Sequence, residues 1–242
     1  CYDHSVGSNA NSRRRNQPSG VPITPDQAHL KGLLGMMTTE NHRSELIAYT
    51  VTDMVAVVMF NRPDRLNAWN PPLEAAYVRA LRRASSDPGV RAVVVTGAGR
   101  AFCAGADKSV LEAIEVGGSV DGPIGARRLQ LQDFEPAVPK PVVAAVHGHC
   151  VGIGLAHALA CDVRFTTPDT SWSAPFARLG LVAEPGTAWL IQRIAGYSAA
   201  ADLLLTGRAI RGDDAYRLGL ADHLVDGDVL EAAIKYAGDI AR

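Results

Sequence analysis

The sequence predicts an α/β domain, because short apolar strands alternate along the chain with segments of helical periodicity. The runs "RAVVVTG" and "KPVVAAVHG" are rich in Val and Ala, as expected for strands buried on both faces of a sheet. Each run ends in a glycine-containing loop, which is where α/β domains often bind ligands. The 242 residues, 47% of them apolar, suffice for one large domain or two small ones.

The first half of the fold begins at residue 45. "ELIAYTVTDMVAVVMFNRP" predicts two strands joined by a turn at Thr52-Asp53. Pro71 and Pro72 then open a helix. The apolar stripe of this helix recurs at helical spacing and consists of Leu73, Ala76, Tyr77, Ala80, Leu81 and Ala84. The strand "RAVVVTG", its loop and a broken helical region over 109–135 follow.

The second half of the fold repeats the alternation. "KPVVAAVHG" predicts another buried strand, residues 152–160 a helix, and "CDVRFTT" a strand. Two helices are predicted near 198–206 and 212–218, and a last helix runs over 230–241.

The chain divides into three predicted regions. Residues 1–40 are rich in Ser, Asn, Pro, Gly and Arg and lack the apolar core of a secretory signal, so we expect a disordered leader or a non-native extension. Residues 41–225 form the main domain with the functional site. Residues 226–242 begin a C-terminal helical region.

Composition excludes several classes of partner. The net charge is −1 and no basic stripe is present, which argues against nucleic acid. The longest apolar run, Pro141 to Val146, is too short to span a membrane. The four cysteines form no CxxC pair, so we expect buried thiols in a reducing, cytoplasmic compartment, and no metal site.

Two glycine loops are the candidate functional elements. The first is "GAGRAFCAGAD", 97–107, and the second is "HGHCVGIG", 147–154. Glycine allows close approach of the backbone to a ligand, and a helix N-terminus favours negative charge. Two N–H donors converging from these loops would form an oxyanion hole. The alternative is tight packing between helix and strand, and the dinucleotide fingerprint and phosphate loop are both incomplete.

Five segments, in order, resemble the crotonase superfamily, the enoyl-CoA hydratase/isomerase group. They are "NRPDRLNAWN", "VVVTGAGRAFCAGAD", "KPVVAAVHGHCVGIGLAHALACDVRF", "RLGLVAEPGTAWLIQRIAG" and "LLLTGRAIRGDDAYRLGLADHLV". The resemblance covers about residues 45–240 and implies a spiral of ββα repeats that assembles as a homotrimer or a dimer of trimers. It also implies further C-terminal helices, so we expect a truncated helical region and impaired trimerisation.

The resemblance also implies roles for individual residues. Ala104 and Ile153 would donate their backbone N–H groups to the thioester oxygen of an acyl-CoA substrate, beside Gly152. The acyl-CoA channel would be lined by Arg65, Leu66, Ala68, Ala106 and Asp107. Coenzyme A would arrive as part of the substrate, with no tightly bound cofactor.

The chain departs from the family's hydratases at two positions. The two catalytic glutamates of a hydratase correspond to Ala156 and Phe176, which hold no proton. Glu184 corresponds instead to the single glutamate of family members that shift a double bond. One carboxylate whose pKa is raised by burial suits that reaction, in which a proton leaves C2 and returns at C4.

Two other interpretations remain open from the sequence. Glu184 and a water molecule would also serve hydration or retro-aldol cleavage. Loss of both hydratase glutamates equally suits a non-catalytic homologue that binds acyl-CoA. The histidines His147, His149 and His157 are expected to be structural.

Overall fold

The computed structural model describes residues 45–115, 138–183 and 186–242. The strands are β1 Ile47–Thr52, β2 Val55–Phe60, β3 Ala92–Gly97, β4 Val142–Val146, β5 His149–Val151, β6 Val163–Thr166, β7 Ser171–Ser173, β8 Ala209–Arg211 and β9 His223–Leu224. The α-helices are α1 Pro71–Ser86, α2 Lys108–Glu115, α3 Ile153–Ala160, α4 Thr187–Ala195, α5 Tyr197–Thr206, α6 Gly212–Arg217 and α7 Val229–Ala241. Two 3₁₀ turns cover Pro63–Arg65 and Pro175–Leu179.

The described strands form two sheets, and the α/β class is confirmed. The larger sheet has the order β1-β2-β3-β4-β6-β9, antiparallel between β1 and β2 and parallel from there on. The smaller sheet has the order β5-β7-β8. Parallel strands bring their carboxyl ends to one edge, so the loops after β3 and β4 start side by side.

The larger sheet is covered on both faces, which explains its uninterrupted apolar strands. One face of β2, β3 and β4 packs with the apolar stripe of α1 and with α3. The opposite face packs against α7 through a second set of side chains. In β2, for example, Val58 and Phe60 belong to the first core and Val57 and Met59 to the second.

Most predicted elements are confirmed where the structure describes them. The first turn lies one residue later than expected, at Asp53 and Met54, which both have positive φ. Helix α4 and the short strands β5, β7, β8 and β9 were not predicted. The leader 1–40, and residues 116–135 of the broken helical region, lie outside the described residues.

Two expectations concern the environment of the chain. Within the described part, no helix is long and apolar enough to cross a membrane. Cys103, Cys150 and Cys161 are buried free thiols, as predicted.

Candidate active site

The first glycine loop lies between two other segments. On one side it runs parallel to the second glycine loop, where the Cys103 N–H donates to the His149 carbonyl at 2.9 Å and the Val151 N–H to the Cys103 carbonyl at 3.0 Å. On the other side it meets residues 61–70, which we call the strap. The Trp69 N–H donates to the Gly105 carbonyl at 2.8 Å. Three chain segments distant in sequence therefore meet at residues 103–107.

Asn67 fixes the strap to the first loop. Its side chain is fully buried, and its amide nitrogen donates to the carbonyls of Ala98 and Ala101 at 2.9 and 2.7 Å. Its side-chain oxygen accepts the Arg62 N–H at 2.8 Å. Asparagine tolerates the positive φ of 56° found here better than most residues do.

The Ala104 N–H, the predicted donor of the first loop, already has an acceptor in the strap. It donates to the Leu66 carbonyl at 3.0 Å, so it points towards the strap. A substrate oxygen would have to break that bond to use it.

The Ala106 N–H faces the other way. In a trans peptide the C=O and the following N–H point in opposite directions. The Gly105 carbonyl accepts the Trp69 N–H, so the Ala106 N–H points away from the strap. The next N–H, of Asp107, points back to the Trp69 carbonyl at 2.8 Å. The Ala106 N–H donates to no described residue and is a candidate donor that sequence reasoning had placed only along the channel.

The Ile153 N–H is the candidate donor of the second loop. Ile153 is the first residue of α3, and the first helical bond runs from the Ala156 N–H to the Gly152 carbonyl at 3.1 Å. The Ile153 N–H therefore points out of the helix N-terminus and donates to no described residue. Gly152 before it has φ 54° and ψ −114°, a conformation that favours glycine.

Close packing brings together the two loops that carry the candidate donors. A Cβ on Gly105, the residue before Ala106, would lie 3.4 Å from the Val151 carbonyl oxygen. A Cβ on Gly154, the residue after Ile153, would lie 2.6 Å from the Cys103 carbonyl oxygen and 2.7 Å from the Cys103 Cβ. Both glycines permit the loops to approach to backbone contact, as the packing alternative predicts, and this contact is compatible with the oxyanion alternative.

Gly154→Ala is expected to force α3 away from the first loop. The new methyl group would overlap Cys103 backbone, which cannot move aside as a flexible side chain could. We expect unfolding to become easier by about 1–3 kcal/mol, as for other overpacked sites. Urea unfolding measures this change, with Gly238→Ala as the control, since a Cβ at Gly238 of α7 meets no atom within 4 Å. Equal stability of the two variants would contradict the packing argument.

An ion pair between Arg62 and Asp107 lies next to the Ala106–Trp69 contact. The Arg62 Nη2 donates to the Asp107 Oδ2 at 2.8 Å, and Nη1 donates to the Ala68 carbonyl. The guanidinium beside Asp107 lowers the pKa of that carboxyl, which therefore stays ionised. The other oxygen of Asp107, Oδ1, accepts hydrogen bonds from the backbone N–H and the hydroxyl O–H of Ser109 at the start of α2.

An aromatic cluster joins the strap to α3. The ring of Trp69 lies 3.9 Å, centroid to centroid, from that of His157, which also contacts Tyr77 and Phe60. His157 and Trp69 are both buried. His157 is therefore a packing residue, as predicted. His147 is also held structurally, since its Nε2 lies 3.1 Å from the Gly99 carbonyl oxygen.

The side chains at two positions near the start of α3 are apolar. Ala156 is fully buried, and the Cζ of Phe176 lies 3.9 Å from where a Gly152 Cβ would stand. Burial raises the pKa of the Cys103 thiol to about 12, so this group does not act as a base at neutral pH. The positions that correspond to the hydratase glutamates thus hold a methyl group and a phenyl ring.

Glu184, the predicted base, lies outside the described residues. The chain before it passes close to the site, because the Leu181 N–H donates to the Phe176 carbonyl at 2.9 Å. The described residues continue from Gly186, which lies immediately before α4. Phe176 thus anchors the described chain three residues before Glu184.

The remaining predicted channel residues lie on the strap. Arg65 ends the first 3₁₀ turn and its side chain is exposed, which leaves its guanidinium accessible to a phosphate. Leu66 follows with φ 50° and is half-buried. The Ala68 carbonyl accepts a hydrogen bond from the Arg62 Nη1.

Comparison with known proteins places these features in a family. A sequence profile described as enoyl-CoA hydratase/isomerase matches residues 50–242. A probable enoyl-CoA hydratase of Mycobacterium tuberculosis is 42% identical over 198 residues, which are 81% of this chain and 75% of that protein. The 1,2-epoxyphenylacetyl-CoA isomerase of Escherichia coli is 32% identical over 192 residues, 77% of this chain and 72% of that protein.

Solved structures agree with the sequence comparisons. The crystal structure of an enoyl-CoA hydratase from Mycobacterium marinum superposes with a TM-score of 0.66 and 41% identity, covering 82% of this chain and 90% of that one. The predicted crotonase-like fold is therefore confirmed.

Proposed function

Since this chain belongs to the enoyl-CoA hydratase/isomerase family, we propose that it shifts a carbon–carbon double bond in an acyl-CoA thioester through an enolate. The family makes it an acyl-CoA-processing enzyme. Support for the particular reaction comes from Ala156 and Phe176, which occupy the positions of the hydratase glutamates and carry no group that activates water. This pair of apolar residues is the observation that carries the proposal.

The proposed oxyanion hole consists of the Ala106 and Ile153 N–H groups. A proton α to a thioester is a weak acid until the carbonyl oxygen can accept negative charge. Two fixed N–H donors stabilise this negative charge and need not reorganise during the reaction. The N-terminal end of α3 adds its partial positive charge to the Ile153 donor. Gly152 and Leu66 would line the bound thioester, and Arg65 would meet a phosphate of coenzyme A.

Glu184 is the proposed base. It would take the proton from C2 of a 3-enoyl thioester and return it at C4, which leaves the conjugated 2-enoyl product at unchanged mass. The apolar side chains at Ala156 and Phe176 favour this outcome, because they keep a second proton donor and a bound water away from the acyl chain.

The proposal is tested with trans-3-enoyl-CoA and trans-2-enoyl-CoA as separate substrates. We expect the 3-enoyl thioester to become conjugated, seen as a rise in absorbance, with no change of mass. We expect no addition of water to the 2-enoyl thioester above the rate without protein. Gain of one water would establish hydration instead, and binding without conversion of either substrate would establish a non-catalytic homologue.

We also propose that the full-length protein assembles as a homotrimer or a dimer of trimers in the cytoplasm, as the resemblance implies. Support comes from large apolar side chains that are exposed on the second 3₁₀ turn, α4 and α5, namely Leu179, Trp189 and Leu205. Such side chains suit an interface between subunits.

A further inference from the structure

We propose that Arg62 is a positioning residue, which holds the Ala106 N–H in place from behind without contacting the substrate. This inference rests on the proposed function, because Ala106 matters only as an oxyanion donor. The supporting evidence is the place of the guanidinium in the strap, its two partners, and its low exposure.

The two partners of Arg62 lie on either side of the Ala106–Trp69 contact. The Ala68 carbonyl is on the strap, one residue before Trp69, and the Asp107 carboxylate is on the first loop, one residue after Ala106. Trp69 and Ala106 are themselves bridged as neighbouring extended segments. One planar group therefore ties both segments together at the residue that carries the donor.

Arg62 itself is held firmly. Its N–H donates to the Asn67 Oδ1 at 2.8 Å, and its carbonyl accepts the N–H groups of Arg65 and Asn67 at 2.9 and 3.0 Å. Its side chain is only 16% exposed, and that of Asp107 15%. A fixed backbone and a short ion pair that is largely removed from water give the guanidinium one orientation.

The geometry requires arginine rather than any cation. A guanidinium presents several N–H donors in a rigid plane, so it reaches a carbonyl on one segment and a carboxylate on the other. A lysine ammonium is a single point of charge and would retain the attraction to Asp107 while losing the fork. Arg62→Lys thus separates the charge from the geometry.

Two other roles for Arg62 give different results. If Arg62 bound a phosphate of coenzyme A, its substitution would change the affinity for coenzyme A and leave the Ala106 N–H in place. If Arg62 only stabilised the fold, its substitution would change the melting temperature and leave the polarisation of the bound thioester carbonyl unchanged. If Arg62 positions the donor, its substitution reduces the polarisation of that carbonyl.

The test measures the carbonyl stretch of crotonyl-CoA, isotopically labelled at the thioester carbonyl, by infrared difference spectroscopy on the full chain. We expect wild-type protein to shift the stretch to lower frequency, Arg62→Met to lose most of that shift, and Arg62→Lys to retain part of it. For the 3-enoyl substrate we expect Arg62→Met to lower kcat about 100-fold, the usual effect of a misplaced catalytic group, with KM and the dissociation constant of coenzyme A unchanged.

Arg217→Met is the matched control, because Arg217 also pairs with an aspartate, Asp214, but on the exposed surface of α6. Asp107→Asn serves if Arg62→Met does not fold, since it weakens the same pair while keeping the side chain's size. Together with Arg62→Lys it should show a non-additive effect on kcat.

A full carbonyl shift in a folded Arg62→Met variant would overturn the inference and leave the proposed function intact. Weaker binding of coenzyme A with an unchanged shift would overturn it in favour of a phosphate ligand. Absence of any shift in the wild-type protein would overturn the oxyanion hole, and this inference with it.

Discussion

Glu184→Gln is expected to lower kcat for the shift of the double bond about 1,000-fold, within the usual range for loss of a general base. Glutamine has the size of glutamate but cannot take a proton from C2. Ala156, Phe176 and Cys103 supply no replacement base, because the first two hold no proton and the pKa of Cys103 is about 12. Conversion of trans-3-enoyl-CoA, followed by the absorbance of the conjugated product, measures the change.

Binding should survive this substitution. We expect the dissociation constant of a saturated acyl-CoA, measured by calorimetry, to stay within about twofold of the wild-type value, because the thioester is held by backbone donors. Glu231→Gln is the matched control, since Glu231 lies on α7, against the opposite face of the sheet. Wild-type turnover by Glu184→Gln would assign the base to another group, and loss of binding would make Glu184 a ligand of the substrate.

The sequence predicts the framework of the fold well because that framework depends on side-chain burial. Strands β2, β3 and β4 are covered on both faces, so their apolar runs are visible without any structure. Helix α4 escaped prediction because it follows a glycine, Gly186, with no side chain that caps its first turn. Strands β5, β7 and β8 have three residues each, too few for a period to be recognised.

The donors of the site depend on backbone direction, which side chains do not encode. Ala104 and Ala106 are the same residue type two positions apart, yet one N–H is bonded to Leu66 and the other points away from the strap. Only the register of Trp69 against Ala106 distinguishes them. The sequence therefore predicts Ala104 as the donor without any information on the direction of its N–H.

The role of Arg62 was hidden for a different reason. The segment "NRPDR" contains two arginines, and the resemblance directs attention to Arg65, the exposed one. The partner of Arg62, Asp107, lies 45 residues further along the chain. The two side chains meet only because the strap packs against the first loop, so no local sequence pattern predicts their contact.

Ile153→Pro is expected to lower kcat about 100- to 1,000-fold, since removal of one oxyanion donor typically costs about 3–4 kcal/mol of transition-state stabilisation. Proline has no N–H, and the first position of a helix accepts it because that N–H has no helical acceptor. Ile153 occupies this position in α3, and Gly152 before it is not in the α region that a following proline disfavours. The substitution therefore removes the donor while leaving the helix in place.

Ile153→Ala separates the donor from the side chain. It removes most of the same apolar contact with the core but keeps the N–H, so we expect it to lower the melting temperature and to leave kcat within about threefold of the wild-type value. Both variants are assayed with trans-3-enoyl-CoA after their folding has been verified by circular dichroism. Equal kcat values for the two would mean that the Ile153 N–H carries no charge in the transition state. A large difference would show that this enzyme activates its thioester through the backbone, independently of the side chain that transfers the proton.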